Sequence, residues 1–220
     1  MTPEKTDYFE IPLPDETINL GPGAWSPDGK SIAFQAWDEQ NPGRDGIYIG
    51  SSDGQDLKRV TTAKVGADIP GDYSPDGRQL AFFREQEDTQ GVGSVWVVNV
   101  DGTDLKRLTP PAFMAGVSVR WSPDGSKILL QSASTEAVGA LWTVEPDGSS
   151  FKRLFADSEG RFAITPTWSP SGDQIMFALD PIADAYSHPV NALYVINADG
   201  SGLTPVITTP DFKREPDWVP

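Results

Sequence analysis

Residues able to catalyse hydrolysis are scarce in this chain. Histidine occurs only once, at His188 in a predicted long loop, and cysteine is absent. A Ser-His-Asp triad would have to use His188, yet no nucleophile elbow of the Gly-x-Ser-x-Gly type accompanies it. The lack of cysteine also excludes disulfides, thiolate nucleophiles and zinc–thiolate sites. We therefore expect a protein that is not an enzyme, with no catalytic residues and no cofactor.

Carboxylates are the most abundant groups that could carry chemistry. Seven aspartates lie in recurrent Asp-Gly turns: Asp28, Asp53, Asp76, Asp101, Asp124, Asp147 and Asp199. None belongs to the Asp-x-Asp/Asn-x-Asp/Asn-Gly loop that wraps a calcium ion. Tight turns favour Asp and Gly for their backbone conformations, so turn geometry explains these residues better than metal binding does. No metal site is expected, and no spacing singles out a carboxylate pair for glycosidic chemistry.

The charge balance bears on the partners that the protein can have. The 220 residues contain 32 Asp and Glu against 17 Lys and Arg, giving a net charge of −15. Nucleic-acid binding gains affinity by neutralising phosphates with basic side chains, so DNA and RNA are poor candidates. The first twenty residues have neither the basic start nor the apolar run of a signal peptide, and no apolar stretch is long enough for membrane insertion.

One turn motif recurs at regular intervals and shows how the chain is organised. It is Trp-Ser-Pro-Asp-Gly at 25–29, with variants at 73–77, 121–125 and 168–172, at intervals of 48, 48 and 47 residues. A short apolar strand follows each turn. A third strand with a central aromatic then ends in Asp-Gly, and a fourth begins with Leu-Lys-Arg in the first two repeats and Phe-Lys-Arg in the third. The period therefore predicts four four-stranded units.

A four-stranded sheet that is apolar on both faces is stable only when neighbouring sheets cover it. The sequence thus predicts an all-β fold, a β-propeller of four tandem antiparallel blades with extra partial strands at both ends. The whole chain, 1–220, forms one domain in this interpretation, with repeats at about 22–70, 71–118, 119–165 and 166–213, and with the start of a further repeat at 214–220. Four blades would close narrowly as a monomer or join between chains as a homo-oligomer.

These motifs resemble the TolB-type, WD-repeat-like family of bacterial β-propellers. The resemblance covers about residues 20 to 220 and rests on five motifs in register. It implies the propeller fold and a periplasmic or extracellular location. It does not fix a function, since the family spans periplasmic interaction modules, gating domains of prolyl-oligopeptidase-like enzymes, sugar lyases and extracytoplasmic sensors.

The long connections between blades and between second and third strands fall on one face, where recognition by a rigid scaffold usually takes place. Aromatic and acidic residues there form a candidate site for a protein or cationic peptide: Trp37, Asp38, Glu39, Glu85, Asp88, Phe113, Phe162 and Tyr186. The alternatives are ordinary solvated loops whose aromatics pack locally, or a propeller domain of a larger hydrolase, lyase or sensor.

Two further patterns have structural interpretations. Lys-Arg pairs at 58–59, 106–107 and 152–153 lie on the outermost strand of each blade, where charge protects an edge from pairing with another chain. Asp72 and Arg120 precede the aromatic of neighbouring repeats, and an ion pair between them would join two blades.

Overall fold

A computed structural model describes residues 17–53, 56–87, 91–133, 139–180, 192–208, 216 and 218. They form four four-stranded antiparallel units, here called blades, with sequential strand order, and pairing of Gly93 with Ala115 joins the second and third into one eight-stranded sheet. Blade 1 contains β1 (Ile18–Trp25), β2 (Ser31–Asp38), β3 (Gly46–Ser51) and β4 (Lys58–Arg59), with a 3-10 turn at Pro42–Arg44. Blade 2 contains β5 (Asp68–Tyr73), β6 (Gln79–Glu85), β7 (Gly93–Asn99) and β8 (Lys106–Arg107).

Blade 3 contains β9 (Ala115–Trp121), β10 (Ile128–Ser132), β11 (Leu141–Val144) and β12 (Lys152–Phe155). Blade 4 contains β13 (Phe162–Trp168), β14 (Gln174–Asp180), β15 (Ala192–Asn197) and β16 (Thr204–Ile207). The predicted all-β propeller is confirmed. The partial strands expected at 8–13 and at the C-terminal end lie outside the described residues, apart from Pro216 and Trp218. No helix in the described part of the chain is long and apolar enough to cross a membrane.

The hairpin turns follow from the Ser-Pro-Asp-Gly chemistry. In blade 2 the Ser74 hydroxyl donates to the Asp76 carboxylate at 2.6 Å, and the same carboxylate accepts the backbone N–H of Arg78. Gly77 has a φ of 71°, in the left-handed region that favours glycine. These hydrogen bonds lower the pKa of Asp76, that from Ser74 most. The aspartates of these turns therefore close hairpins, as the sequence predicts.

The first strand of each blade is the innermost. Among the described strands, close contacts join β1 to β5, β5 to β9 and β9 to β13, but no contact of that extent joins β13 to β1. The fourth strand of each blade is outermost and pairs with the third alone. The blades thus form an arc around a common axis, with two ends.

Each junction between blades is an apolar layer built from both sheets. Ala33 and Ile47 of blade 1 pack with Leu80 and Phe82 of blade 2. The next two junctions repeat this arrangement, with Phe83 and Leu130 in one and Leu129 and Phe177 in the other. Burying such side chains contributes about 1.5–3 kcal/mol each, so the junctions hold the arc together.

The Lys-Arg pairs do more than protect an edge. The Lys58 ammonium of blade 1 donates to the backbone carbonyl of Asp101, in the Asp-Gly turn of blade 2, at 3.3 Å. Lys106 makes the equivalent hydrogen bond to the Asp147 carbonyl of blade 3. Each lysine therefore links the outer strand of one blade to a turn of the next. Both hydrogen bonds are exposed to solvent, so each one contributes little to the free energy of unfolding by itself.

A buried hydroxyl gives a test of the first junction. The hydroxyl of Tyr73 is buried and has no hydrogen-bond partner, and burial raises the pKa of Tyr73 to about 12. An unsatisfied buried hydroxyl costs about 1–3 kcal/mol. We therefore expect Tyr73→Phe to raise the free energy of unfolding by about 1 kcal/mol in urea denaturation.

Tyr48→Phe is the matched control for that substitution. The Tyr48 hydroxyl donates to the carbonyl of Arg44 at 3.1 Å, so its removal should lower stability instead. Equal effects of the two substitutions would contradict the assignment of Tyr73 as unsatisfied.

Candidate functional site

The connections divide the arc into two faces. The turns that join first to second and third to fourth strands lie on one face, here called the turn face. The connections at 39–45, 60–67, 86–92, 108–114, 133–140 and 156–161 lie on the opposite face, the loop face, in so far as they are described. Because the strands of a blade alternate in direction, every long connection reaches this one face.

Trp37 lies at the loop end of β2 and is 38% exposed. Its ring covers Gly21 of β1, where an added Cβ would meet the ring edge at 3.4 Å. The side chain therefore has one face against its own blade and part of its surface in solvent. Such an arrangement suits an anchor for a ligand, and it also protects the glycine backbone beneath it.

Asp38 is only 2% exposed and has internal partners. Its carboxylate accepts hydrogen bonds from the Thr17 hydroxyl at 2.8 Å and from the backbone N–H groups of Gln40 and Asn41, and it pairs with Arg44 at 3.0 Å. Burial alone would raise the pKa of Asp38, but these hydrogen bonds and the Arg44 charge hold it below its ordinary value. Asp38 thus orders the loop that follows β2.

The remaining candidates are spread over separate loops. Glu39 is exposed, whereas Glu85 is half-buried and accepts the backbone N–H of Gly91 at 2.9 Å. Phe113 packs edge-on against Trp142, with ring centroids 5.1 Å apart. Phe162 is half-buried at the start of β13. Asp88, Tyr186 and His188 lie outside the described residues. The candidates described therefore do not form one cluster.

A groove of about 850 Å³ lies between blades 1 and 2 and was not identified from the sequence. It runs along the outer side of the junction, from Val65, Glu85 and Glu87 at the loop face to Leu105 in the turn before β8, and Trp96 of β7 forms one wall. The Arg84 guanidinium stacks over the Trp96 ring, 4.9 Å from its centroid. The groove thus combines an aromatic wall, two apolar side chains and acidic groups.

The groove lies beside the connection between the two blades, and the cation that covers its aromatic wall, Arg84, comes from β6 of the same blade. Trp96 is the third-strand aromatic of blade 2. Its counterpart in blade 3, Trp142, is covered by Phe113, and that of blade 4, Tyr194, by the guanidinium of Arg161 at 5.7 Å. Both covering residues come from connections between blades. The connection at 62–67, Thr-Ala-Lys-Val-Gly-Ala, supplies no such side chain.

Buried polar contacts hold the walls of the groove in place. Arg84 binds the Asp68 carboxylate through two hydrogen bonds, Nε at 2.6 Å and Nη2 at 2.7 Å. The Thr61 hydroxyl donates to the same carboxylate and accepts the backbone N–H of Ile47. Because a bidentate pair fixes the guanidinium plane, Arg84 is pre-positioned over Trp96.

Asp72 links two inner strands near the axis of the arc. Its carboxylate accepts the backbone N–H of Trp121 in the neighbouring blade at 3.0 Å. The described Arg120 side chain makes no salt bridge within 4 Å of this carboxylate, so the ion pair suggested by the sequence is not a direct one, but its charge opposes the rise in the pKa of Asp72 that burial causes. Arg120 instead donates to the Gly71 and Val119 carbonyls. Burial raises the pKa of Asp72 to about 6, and the Trp121 hydrogen bond opposes that rise.

Groups for metal chemistry are not clustered in the described part of the chain, which has no set of three or more His, Asp or Glu side chains placed to hold an ion. The candidate site is therefore described by its shape and its charge.

Comparisons with known proteins agree with this architecture. A model of the TolB beta propeller domain matches residues 15–220. The fold is similar to that of a protein assigned as TolB from Agrobacterium tumefaciens, with 26% identity, a TM-score of 0.65, and coverage of 87% of this chain and 64% of that one. TolB from Acinetobacter baumannii is 22% identical with a TM-score of 0.66, over 91% of this chain and 46% of its own.

An enzyme shares the architecture at lower identity. An oligogalacturonate lyase from Vibrio parahaemolyticus is 15% identical, with a TM-score of 0.66 over 88% of this chain and 55% of its own. At this identity the likeness concerns the fold alone. The chain spans less than two thirds of the length of all three structures. No curated protein matches it significantly in sequence.

The raised pKa of Asp72 predicts a dependence of stability on pH. The pKa of Asp72 is about 6 in the folded state, against 3.8 for an ordinary aspartate in the unfolded chain. Between these pH values the folded state binds more protons than the unfolded chain does. Asp72 therefore makes the free energy of unfolding fall as the pH rises from about 4 to 6. Asp72→Asn should remove that fall, since an amide oxygen can still accept the Trp121 N–H. We expect a higher thermal midpoint for this variant at pH 7.5 and a smaller difference at pH 4.5.

Asp76→Asn is the control, because its carboxylate has a lowered pKa in a turn. Because the pKa of Asp76 is lowered, its ionised carboxylate stabilises the folded state at pH values above 3.8. Asp76→Asn should therefore be less stable than the parent protein at pH 7.5. A parallel pH response of the two variants would refute the assignment.

Proposed function

Because the chain belongs to the TolB β-propeller domain family, we propose that it is a non-catalytic scaffold that binds a protein or peptide through its loop face. The observation that carries this proposal is the groove between blades 1 and 2, where the connection between blades supplies no side chain over the third-strand aromatic, as it does at the other two junctions. Trp37 extends the apolar part of this face.

The chemistry of the groove suits an extended peptide. Val65 and Leu105 are exposed beside the Trp96 ring, and peptide ligands commonly gain most of their affinity from a few apolar or aromatic anchors. The aromatic ring is held by Arg84 and by the indole N–H, which donates to the Ser94 hydroxyl at 2.8 Å. A wall fixed in this way loses little conformational entropy when a ligand binds.

Charge favours a cationic partner. Glu85 and Glu87 line the groove, and its principal cation, Arg84, is neutralised by Asp68. Lys64 and Arg107 also contribute positive charge, so the groove is mixed in charge, while the whole chain carries −15. A field of that sign speeds the encounter with a basic ligand, and affinity then depends on the local contacts.

Rigid blades and variable connections fit binding better than catalysis. Asp38 and Asp68 are used in internal hydrogen bonds, and the candidate residues described at the loop face do not form one cluster. Self-association, the second kind of partnership expected from the sequence, concerns a different surface, the two ends of the arc.

A labelled peptide of alternating lysine and leucine residues provides a direct probe at low ionic strength. If Trp37 anchors a ligand on the loop face, Trp37→Ala should weaken binding by about 30-fold, which corresponds to about 2 kcal/mol. Fluorescence anisotropy gives the Kd, and thermal unfolding reports whether the fold is retained. The control is Trp25→Ala, since Trp25 is also an exposed tryptophan but lies at the turn end of β1.

Loss of stability in Trp37→Ala without a change in Kd would show that this side chain only packs on its blade. Failure of the parent protein to bind the peptide at low salt would refute the proposed basic ligand.

The charge of the groove is tested separately. Glu87 is exposed and lines the groove, so Glu87→Lys should weaken binding of the same peptide several-fold, with a steeper loss at low salt than at high salt. Asp173→Lys makes the same change of charge in an exposed turn on the opposite face. Equal losses in the two variants would mean that net charge, and not the groove, attracts the peptide.

A further inference from the structure

A pocket of about 460 Å³ lies on the turn face, at the junction of blades 1 and 2. It is lined by the turns that follow β1 and β5, by Ser31 and Ile49 of blade 1, and by Tyr73 and Val100 of blade 2. We call it the turn pocket. It shares no lining residue with the groove described above, so a ligand bound here would be separate from one bound at the loop face.

Two side chains make this pocket larger than its counterpart. The equivalent pocket between blades 2 and 3 has a volume of about 260 Å³. Trp121 lines that pocket at the position of Tyr73, and Gln79 lines it at the position of Ser31. Tyrosine and serine are the smaller residues at these positions, so they leave more space at the junction of blades 1 and 2.

The Tyr73 hydroxyl is a buried polar group that the described residues leave without a hydrogen-bond partner. The residue is only 4% exposed. Burial is the main cause of its raised pKa, and the charge of Asp28 raises the pKa of Tyr73 further. The hydroxyl therefore lies near the Asp28 carboxylate, which lines the pocket. Since buried hydroxyls normally have partners, this one is available to a ligand in the pocket.

The charged groups of the pocket are carboxylates. Asp28 and Asp76 line it from the two blades, and no basic side chain is among the described residues that line it. Each carboxylate uses Oδ1 to accept the serine hydroxyl of its own turn. Oδ2 of Asp28 lies 3.5 Å from the ammonium of Lys30, whose side chain is 81% exposed. Oδ2 of Asp76 has no hydrogen bond or ion pair with the described residues, so it can accept a cationic donor.

The rest of the lining is largely apolar. Ile49 and Val100 are half-buried, and the rings of Pro27 and Pro75 lie beside them in the lining of the pocket. A ligand that fits these walls has a short hydrocarbon chain next to its positive charge. A bare metal ion fits less well, because it needs several oxygen ligands, and the described residues contain no cluster of three acidic or histidine side chains.

We propose that the turn pocket binds a primary alkylammonium group. The ammonium donates hydrogen bonds to the carboxylates of Asp28 and Asp76 and to the Tyr73 hydroxyl. Its alkyl chain packs against Ile49 and Val100. An ammonium has three donors and no acceptor, which matches two carboxylates and a hydroxyl that can accept. A lysine side chain and a free aliphatic amine share this group.

Titration with small amines, followed by two-dimensional amide NMR spectra, tests the proposal. At low ionic strength, n-pentylamine and Nα-acetyl-lysine methylamide should cause saturable shifts in the turns at 26–29 and 74–77. Neutral 1-pentanol, which has the same chain length, should cause none. Tighter binding of the lysine derivative would identify a lysine side chain as the ligand, and tighter binding of n-pentylamine would identify a free amine.

Substitutions that copy the neighbouring blades should close the pocket and keep the fold. Ser31→Gln and Tyr73→Trp introduce the residues found at the equivalent positions of blades 2 and 3, and each should weaken amine binding more than about tenfold. Tyr73→Phe removes one hydrogen bond and should weaken it about fivefold. Asp28→Asn removes a charge-assisted bond and should weaken it about tenfold. Thermal unfolding reports whether each variant is folded.

Two controls separate the pocket from net charge and from the loop face. Asp199→Asn removes the same charge from an exposed turn of blade 4 and should bind the amines like the parent protein. Trp37→Ala changes the loop face and should also bind them like the parent protein, whatever its effect on the peptide. The proposal would be overturned by the absence of saturable shifts, by equal losses in Asp28→Asn and Asp199→Asn, or by unchanged affinity in folded Ser31→Gln and Tyr73→Trp.

Discussion

The structure depends on one constraint, that every blade is apolar on both faces and must be covered on both. Within blade 2, alternate residues of β6 point to opposite neighbours, with Leu80 and Phe82 toward blade 1 and Ala81 and Phe83 toward blade 3. Most buried apolar residues lie between blades, and a smaller buried cluster of Ile18, Ala36 and Tyr48 lies in blade 1. The fold is stable because neighbouring sheets share their junctions.

Local turn chemistry makes this stacking possible. A Ser-Pro-Asp-Gly turn satisfies its own polar groups through the serine hydroxyl and the aspartate carboxylate, so it needs no contact from outside the blade. It also places a proline on one side and a glycine on the other. Since the glycine has no Cβ, the turn of one blade approaches the proline of the preceding blade, and the spacing of the sheets is kept at the turn face.

The sequence predicts these features because they are local and repeated. Trp-Ser-Pro-Asp-Gly determines a hairpin within five residues, and four copies in register indicate the blades and the outer position of the Lys-Arg pairs. The lysine links between blades could not be predicted, since they depend on how far one fourth strand lies from the next Asp-Gly turn.

The candidate site was less predictable because it also depends on contacts between segments that are far apart in the sequence. Asp38 and Phe113 occur in long connections and have the composition of a binding surface, but the structure gives them internal partners. The Asp38 carboxylate accepts a hydrogen bond from Thr17 and pairs with Arg44, and the Phe113 ring packs on Trp142. Residue type and loop position do not reveal which side chains are already engaged. Trp96 was assigned only to a blade, because the groove beside it depends on a different segment, 62–67.

The surface of the scaffold varies most at the outer part of each junction. The uniform part of each junction lies between the sheets, where a change of volume would disturb two blades at once. The outer part, above the third-strand aromatic, is covered by a single side chain from the connection between blades: Phe113 in one case and Arg161 in another. In blade 2 the covering group is Arg84, from β6 of the same blade, and a groove lies beside it. The three junctions therefore share their buried layer and differ in the segment that supplies the cover.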